Sequence, residues 1–481
     1  MKKPQNRFRR QRLGRQFLSL LACLLLSGVA VSAQNAHEPQ REQLLNGLKL
    51  LFVNRPGDPE VILKLRVHSG AAFDLAGKEG TMALLGDALF DAETRQYVAE
   101  EMGGRLDVST GFDAINITLA GRAADFERMV ELLRTALLNT QLAPDVVERL
   151  RAARVKTVRE ISISPETIAD RAIAARLFGA YPYGRLAGGS PETLARVERS
   201  DLLLARERFL NSNNATLVVI GGVDARRAQR VLRQSLGPWR KSERIVPASF
   251  RQPEAPDART LIVDFPGTPN AEVRLAVRGF ARSDRDSAAA SALALIARDR
   301  WVKALPGLKD RAVFVRHDAH AGGGIFRMGA SVRSGAEAAQ ALESARKILN
   351  TLAATPPTVD ELENAKRVSI ATVSGEVTKS ISSLADTWLD EHTYGTSMSA
   401  GPEFAKIVGS LTPADAQRVA ARLFLHTPFA AVAVGEAAQL KIELARAGGV
   451  EVFGAAATPN PPPSSQATPP QQQPSLQLKR P

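Results

Sequence analysis

The sequence predicts an α+β fold of two homologous domains, each a mainly antiparallel sheet packed with helices. Strand-like segments and amphipathic, helix-like segments alternate from about residue 43 onwards. A polar, proline-bearing stretch at 241–258 interrupts this pattern, and the same order of segments then begins again. We therefore predict an N-terminal domain at 40–245 and a C-terminal domain at 258–456.

In the first domain, the strands and helices are predicted from apolar periodicity. Val61–Val67 has the composition of a strand, and Ala215–Gly221, apolar apart from Thr216, is typical of a buried one. Phe126–Arg134 and Val146–Arg159 carry apolar residues at helical spacing and are predicted to be amphipathic helices.

The second domain repeats these segments at a nearly constant distance. Ala271–Val277 corresponds to the first strand, and Gly435 ends a strand 214 residues after Gly221. Asp360 opens a helix 215 residues after Asp145 does so. A fixed period of this length indicates a duplicated domain.

Both termini differ in composition from these domains. Residues 1–33 predict a signal peptide, with a basic start, an apolar run over Phe17–Val31 and a small-residue cleavage site ending at Ala33. An uncleaved membrane anchor, lipidation at Cys23 and a twin-arginine signal at Arg9 and Arg10 are alternatives. We thus expect a periplasmic or secreted protein. Residues 457–481, rich in Pro, Gln and Ser, predict a disordered tail.

Charge and cysteine content exclude several classes of function. The formal net charge is +13, but seven of those charges lie in residues 1–33, which leaves +6 on the rest of the chain. This modest excess, without basic runs, argues against nucleic-acid binding. The only cysteine is Cys23, so the mature chain has neither a disulfide nor a thiolate metal site.

The most informative segment is the stretch from Gly80 to Phe90. It resembles Gly-Leu-Ala-His-Phe-Leu-Glu-His-Met-Leu-Phe, the inverted zinc motif H-x-x-E-H of the insulinase-type (pitrilysin, M16) metallopeptidases. In that motif two histidines on one helix face bind zinc, and the glutamate activates water. Here the histidine positions hold Ala83 and Asp87, and the glutamate position holds Gly86.

These replacements remove the family's chemistry. Alanine and glycine offer no donor atom, and a single carboxylate is not a zinc site. The resemblance implies that the family's third ligand position is retained as Glu160. We therefore expect no catalytic residue, no metal and no cofactor in this chain.

Further segments extend the resemblance over nearly all of the mature chain. Tyr181-Pro182-Tyr183-Gly184 resembles the family's H-P-Y-G, with Tyr181 in place of the histidine. The stretch from 103 to 110 resembles G-G-x-L-N-A-x-T, which in the family forms an edge strand along the substrate cleft. An unpaired edge can bind an extended peptide as an added strand. The residues implied to bind peptide are Gly104, Leu106, Val108 and Thr110.

The second domain lacks the family's substrate clamp as well. Active pairs of the processing-peptidase type use an arginine and a tyrosine from a segment similar to R-x-x-x-G-L-A-Y, and Trp301–Phe314 contains no tyrosine. The resemblance implies a non-catalytic subunit that shares extended peptides with a catalytic M16 partner, which carries the zinc.

Two alternatives remain open at this stage. One is an active peptidase with an atypical metal site built from Asp87 and Glu160. The other is a peptide-binding scaffold of the cell envelope. A separate interpretation of the acidic residues groups Asp87, Asp91 and Glu160 as an oxygen-rich site for a hard cation, against the more usual solvated carboxylates. His317 and His320, followed by glycines 322–324, are interpreted as a polar hairpin with a turn, not as a ligand pair.

Overall fold

The computed structural model shows two six-stranded sheets, each packed with helices, which confirms the predicted α+β class and the pair of like domains. The predicted signal peptide and the predicted tail lie outside the described residues. The structure describes residues 38–140, 142–161, 164–247, 249–307, 313–395 and 401–454.

Among its described residues, the N-terminal half contains the first sheet and eight α-helices. Its strands are β1 Gln40–Gln43, β2 Lys49–Asn54, β3 Glu60–Val67, β4 Arg105–Thr110, β5 Ile115–Arg122 and β6 Ala215–Gly221. Its helices are α1 Thr81–Asp87, α2 Ala92–Glu100, α3 Phe126–Leu138, α4 Pro144–Ile161, α5 Pro165–Phe178, α6 Pro191–Leu194, α7 Arg199–Phe209 and α8 Ala225–Leu236.

The C-terminal half contains the second sheet and seven α-helices within the described residues. Its strands are β7 Thr260–Asp264, β8 Ala271–Gly279, β9 Val313–His320, β10 Gly323–Val332, β11 Ala430–Gly435 and β12 Val450–Gly454. Its helices are α9 Ser287–Ala304, α10 Gly335–Ala354, α11 Val359–Thr378, α12 Ile381–Tyr394, α13 Gly401–Gly409, α14 Pro413–Phe424 and α15 Ala437–Ala447.

The two sheets have the same topology. The first has the order β1-β2-β6-β3-β5-β4, and the second has the order β12-β7-β11-β8-β10-β9. Five strands correspond one to one, and only the outermost strand differs: β1 is antiparallel to β2, whereas β12 is parallel to β7. The duplication predicted from the sequence is therefore also a duplication of strand order.

Strands β6 and β11 lie inside their sheets and are buried along their whole length. Because helices cover both faces of each sheet, these strands are apolar on both faces, apart from Thr216 in β6, instead of alternating. The stretch predicted to link the domains contains neither helix nor strand among its described residues. Among the described helices, none combines the length and apolar character that a membrane crossing requires.

The two halves exchange one helix each. Helix α5 of the N-terminal half packs on the second sheet, and helix α12 of the C-terminal half packs on the first sheet. Each has 14 residues, and they begin 216 residues apart, so they are equivalent elements of the duplication. The residues of α5 buried in this contact are Ala169, Ala172, Ile173, Leu177 and Phe178.

An equivalent ion pair accompanies each exchanged helix. Lys64 on β3 lies 2.6 Å from Asp386 on α12, and Arg274 on β8 lies 2.6 Å from Asp170 on α5. The two cations occupy matching positions in the sheet register, and both are buried. Each half therefore supplies part of the other half's interior.

Candidate functional site

The N-terminus of helix α1 is held by a buried carboxylate. Asp74 accepts hydrogen bonds from the backbone N–H of Gly80, at 2.7 Å, and of Met82, at 2.8 Å. Burial raises the pKa of Asp74 to about 7, although these two bonds oppose the rise. The contacts fix where α1 begins, and thereby the places of the three residues at the zinc-motif positions.

Ala83 and Gly86 are both buried and carry no metal-binding or acid–base group. A Cβ atom on Gly86 would lie 2.6 Å from Oγ1 of Thr110 and 3.6 Å from Cγ1 of Val108. Side chains of strand β4 therefore fill the space into which a longer residue at position 86 would extend. A glutamate there requires Thr110 to move.

Asp87 is bound by an arginine that the sequence analysis did not identify. Nε of Arg154, on α4, donates to one carboxylate oxygen at 2.9 Å, and Nη2 donates to the other at 2.6 Å. Nη2 also lies 3.4 Å from the carbonyl oxygen of Ala83. Burial raises the pKa of Asp87, and the guanidinium opposes that rise.

The pair is partly open to solvent: 22% of the Arg154 side chain and 31% of the Asp87 side chain are exposed. A guanidinium thus lies beside both positions that hold histidine in the zinc motif. Sequence alone gave no signal for this contact, because Arg154 is one of several arginines on α4 and its partner lies 67 residues earlier.

The other acidic residues considered for a metal site lie elsewhere in the fold. Asp91 caps α2 by accepting the N–H of Thr94 at 2.7 Å, and this contact lowers the pKa of its carboxyl group. Glu160 is exposed. Arg154 and Val158, four residues apart on α4, share the face directed inward. Glu160 lies two residues after Val158 and therefore points away from that face. This location does not support a ligand role for Glu160.

The donor set does not fit a zinc ion. Both carboxylate oxygens of Asp87 already accept hydrogen bonds from Arg154. Within the described ranges, no three His, Cys, Asp or Glu side chains are grouped closely enough to hold a metal. An atypical site made from Asp87, Asp91 and Glu160 therefore has no support in this geometry.

Comparison with protein families agrees with the motif and the topology. The model of the insulinase family, peptidase family M16, matches residues 49–188, and that of the peptidase M16 inactive domain matches residues 196–369. Together they span about two thirds of the chain. The chain belongs to the M16 peptidase family.

Solved structures with the M16 fold superpose on nearly the whole chain. A protease from Helicobacter pylori is 19% identical, covers 83% of this chain and 100% of its own, and gives a TM-score of 0.73. A peptidase M16 inactive domain from Pseudomonas fluorescens is 18% identical, covers 83% and 98%, and gives 0.71. A chain of complex III from Candida albicans is 15% identical, covers 85% and 99%, and gives 0.69. No curated protein sequence matches significantly.

Strand β4, the predicted peptide-binding strand, lies at the edge of its sheet and pairs only with β5. The start of this edge is already occupied: the N–H of Gly104 donates to the carbonyl of Val98, and Arg95 donates to the carbonyl of Leu106. Main-chain groups of alternate residues on an edge strand point outward. The main-chain groups of Gly104 and Leu106 point outward, so the main-chain groups of Val108 and Thr110 also face the open edge.

The other motif residues predicted for the M16 fold meet where the two halves join. Asp113, in the turn between β4 and β5, accepts hydrogen bonds from the hydroxyls of Tyr183, at 3.0 Å, and Tyr394, at 3.2 Å. The Tyr181 hydroxyl donates to the carbonyl of Gly322. Motif residues and glycines therefore anchor one half to the other.

His317 and His320 lie in a β-hairpin, and His68 lies between two hydroxyl groups. His317 and His320 belong to strand β9, and the β9–β10 hairpin turns at residues 321–322, as predicted. His68 contacts the hydroxyls of Thr216 and Thr393 at 2.9 and 3.0 Å. Within Trp301–Phe314, residues 308–312 lie outside the described residues.

Proposed function

We propose that this chain is a non-catalytic M16 homologue that binds extended peptides and acts as the partner of a zinc-bearing M16 subunit. The contact between Arg154 and Asp87 is the observation that carries the proposal. A cationic side chain bound to the only carboxylate of the motif repels a metal cation and occupies its ligand.

The neighbouring positions support the loss of hydrolysis. Ala83 cannot ligate a metal, and Gly86 cannot accept a proton from water. Gly86 supplies no carboxylate that could activate a water molecule. The space beside it is filled by Thr110. The alternative of an active peptidase with atypical ligands would need donors that this site does not offer.

The capacity to bind peptide rests on the open end of β4. Val108 and Thr110 present main-chain donors and acceptors at the sheet edge, and an extended peptide satisfies such groups by adding a strand. The edge lies directly beside α1, so a bound peptide would run past the altered motif without being cleaved. Catalysis is then the task of the partner.

The partner and the compartment are parts of the same proposal. We place the mature protein in the periplasm or outside the cell, because residues 1–33 have the composition of a signal peptide. Its proposed partner is an M16 chain with an intact H-x-x-E-H motif and bound zinc. A stand-alone envelope scaffold is the outcome expected if no such chain associates with it.

Three measurements on one preparation test the proposal: zinc content by mass spectrometry, cleavage of a quenched fluorescent peptide, and affinity capture from a native extract. We expect no stoichiometric zinc, no cleavage by the purified chain, and capture of a zinc-bearing M16 protein. Stoichiometric zinc together with cleavage would refute the non-catalytic role. Peptide binding without an M16 partner would favour the scaffold function.

A further inference from the structure

The guanidinium of Arg154 has hydrogen-bonding capacity that its contacts with Asp87 do not use. Nε and Nη2 are directed to the carboxylate, whereas Nη1 has no acceptor among the described residues. The side chain is partly exposed to solvent, at 22%. Gly188 passes beside it: a Cβ there would lie 4.0 Å from Nη1.

This free donor lies next to the open part of the peptide-binding edge. Thr110 packs against Gly86, and Asp87 is the next residue of α1. The strand edge and the guanidinium therefore both lie beside α1, at consecutive residues of that helix. A peptide paired with Val108 and Thr110 would run along the helix that Arg154 contacts.

The electrostatics of the pair favour a neutral acceptor. Asp87 already compensates the positive charge of Arg154, at 2.6 Å, and a second carboxylate brought to the same guanidinium would be repelled by Asp87. A peptide carbonyl carries no net charge and accepts a hydrogen bond strongly from a cationic donor. The two bonds to Asp87 also fix the orientation of the guanidinium before the peptide binds.

We propose that Nη1 of Arg154 binds one main-chain carbonyl of a peptide that lies along the open end of β4. This inference rests on the proposed peptide-binding function and identifies its anchor residue. Arg154 holds the peptide backbone independently of side-chain sequence, and strand pairing with β4 sets the direction of the chain.

The test is a thioamide scan of a fluorescein-labelled peptide, selected on a peptide array for binding to the full mature chain. Each peptide carries one carbonyl replaced by thiocarbonyl, a weaker acceptor, and affinity is measured by fluorescence anisotropy. We expect one position to weaken binding about tenfold, in line with the loss of a hydrogen bond to a charged group. For the Arg154→Gln variant we expect the affinity for the unmodified peptide to fall about tenfold. The thioamide at the sensitive position should then no longer weaken binding.

Lys156→Gln is the matched control, because it removes the same charge from an exposed position of the same helix. We expect it to keep the affinity and the scan of the unaltered protein. Should Arg154→Gln fail to fold by circular dichroism, Arg154→Lys serves instead, since lysine keeps the charge but cannot reproduce the planar donor fork.

The outcomes separate the two proposals. If no peptide binds the unaltered protein, the peptide-binding function itself is wrong. If peptides bind but Arg154→Gln leaves the affinity and the scan unchanged, only the anchoring role is refuted. If capping the peptide's terminal carboxylate as an amide abolishes binding, Arg154 recognises the chain end and not an internal carbonyl, which also overturns the inference.

Discussion

The two halves differ most in the segment between their second and third corresponding strands. In the N-terminal half this segment is broken into α1, of seven residues, and α2, of nine, with Asp91 capping the second piece. In the C-terminal half the corresponding segment is α9, a single helix of 18 residues. Ten of its side chains are buried, and Trp301 is completely so.

The proposed peptide-binding site lies in the half whose helix is interrupted. The break leaves Asp87 and Arg154 within reach of solvent beside the sheet edge. The continuous helix fills the equivalent space with alanine, leucine and tryptophan. One duplicated topology thus carries an interrupted, partly exposed pair of helices in one copy and a continuous, mostly buried helix in the other.

The largest expected effect comes from separating the halves. Residues 38–247 and 258–454, produced as two polypeptides, would each lack the exchanged helix that covers its sheet. We expect neither fragment alone to show a cooperative thermal transition by circular dichroism, and we expect mixing to restore one. A cooperative transition for either fragment alone, near that of the intact chain, would contradict the exchange.

Loss of the two equivalent cations should have different costs, because Arg274 pairs with the buried Glu272 as well as with Asp170. Arg274→Met leaves Glu272, which is 7% exposed, without its partner, and we expect a loss of about 3–5 kcal/mol in the free energy of unfolding. Lys64→Met leaves Asp386, which is 45% exposed, and we expect a loss of about 1–2 kcal/mol. Urea unfolding measures both.

Arg233→Met is the surface control for that pair, because Arg233 meets Glu42 at an exposed position. We expect its effect to be below about 0.5 kcal/mol. Equal losses for Arg274→Met and Lys64→Met would show that the burial of their partners does not set the cost.

Each half also contains a buried histidine that makes it acid-sensitive. Burial, together with the charge of Arg66, lowers the pKa of His68 to about 3, and burial lowers the pKa of His317 to about 4. The unfolded chain therefore binds protons near pH 6.5, where the folded chain does not. Each histidine should therefore lower stability as the pH drops below 6.5, by at most about 1.4 kcal/mol per pH unit. Asp74, whose pKa is raised to about 7, contributes in the opposite direction over the same range, so the histidine contributions are measured as differences between variants.

Urea midpoints between pH 7 and 4 measure this loss in the intact protein, in His68→Gln and in His317→Gln. We expect each substitution to reduce the slope over this range. If the slope of His68→Gln equals that of the unaltered protein, protonation of this histidine does not govern the acid response of the N-terminal half.

The smallest effect concerns the space beside Gly86. Gly86→Ala gains about 1 kcal/mol in helix propensity but brings its Cβ against Thr110, so we expect a net change below about 1 kcal/mol. In a Thr110→Ala background the same substitution should stabilise by about 1 kcal/mol. A double-mutant cycle with no coupling would show that Thr110 does not fill this space.

Local sequence predicted the elements of the fold well. The mainly apolar sequence of Ala215–Gly221 predicts a buried strand, which the structure confirms. The period of the duplication follows from Gly221 and Gly435, which end corresponding strands. The loss of zinc chemistry was inferred at single positions. Such properties depend on residues close together in the chain.

Contacts between distant elements could not be predicted in the same way. The apolar face of α5 shows that the helix is covered, but not that the second sheet covers it. Arg154 resembles its neighbouring arginines in sequence, and only packing of α4 against α1 brings it to Asp87. Which face of α4 points inward is likewise decided by packing, and Glu160 lies on the exposed face.

The exchanged helices have a consequence for how this protein can evolve. A substitution in β3 changes the surroundings of a helix encoded more than 300 positions later, as Lys64 and Asp386 show. Compensating substitutions must therefore arise in distant parts of one gene. A change in one half of the duplication then constrains the other half. Related sequences should show covariation between residues 64 and 386, and between residues 170 and 274.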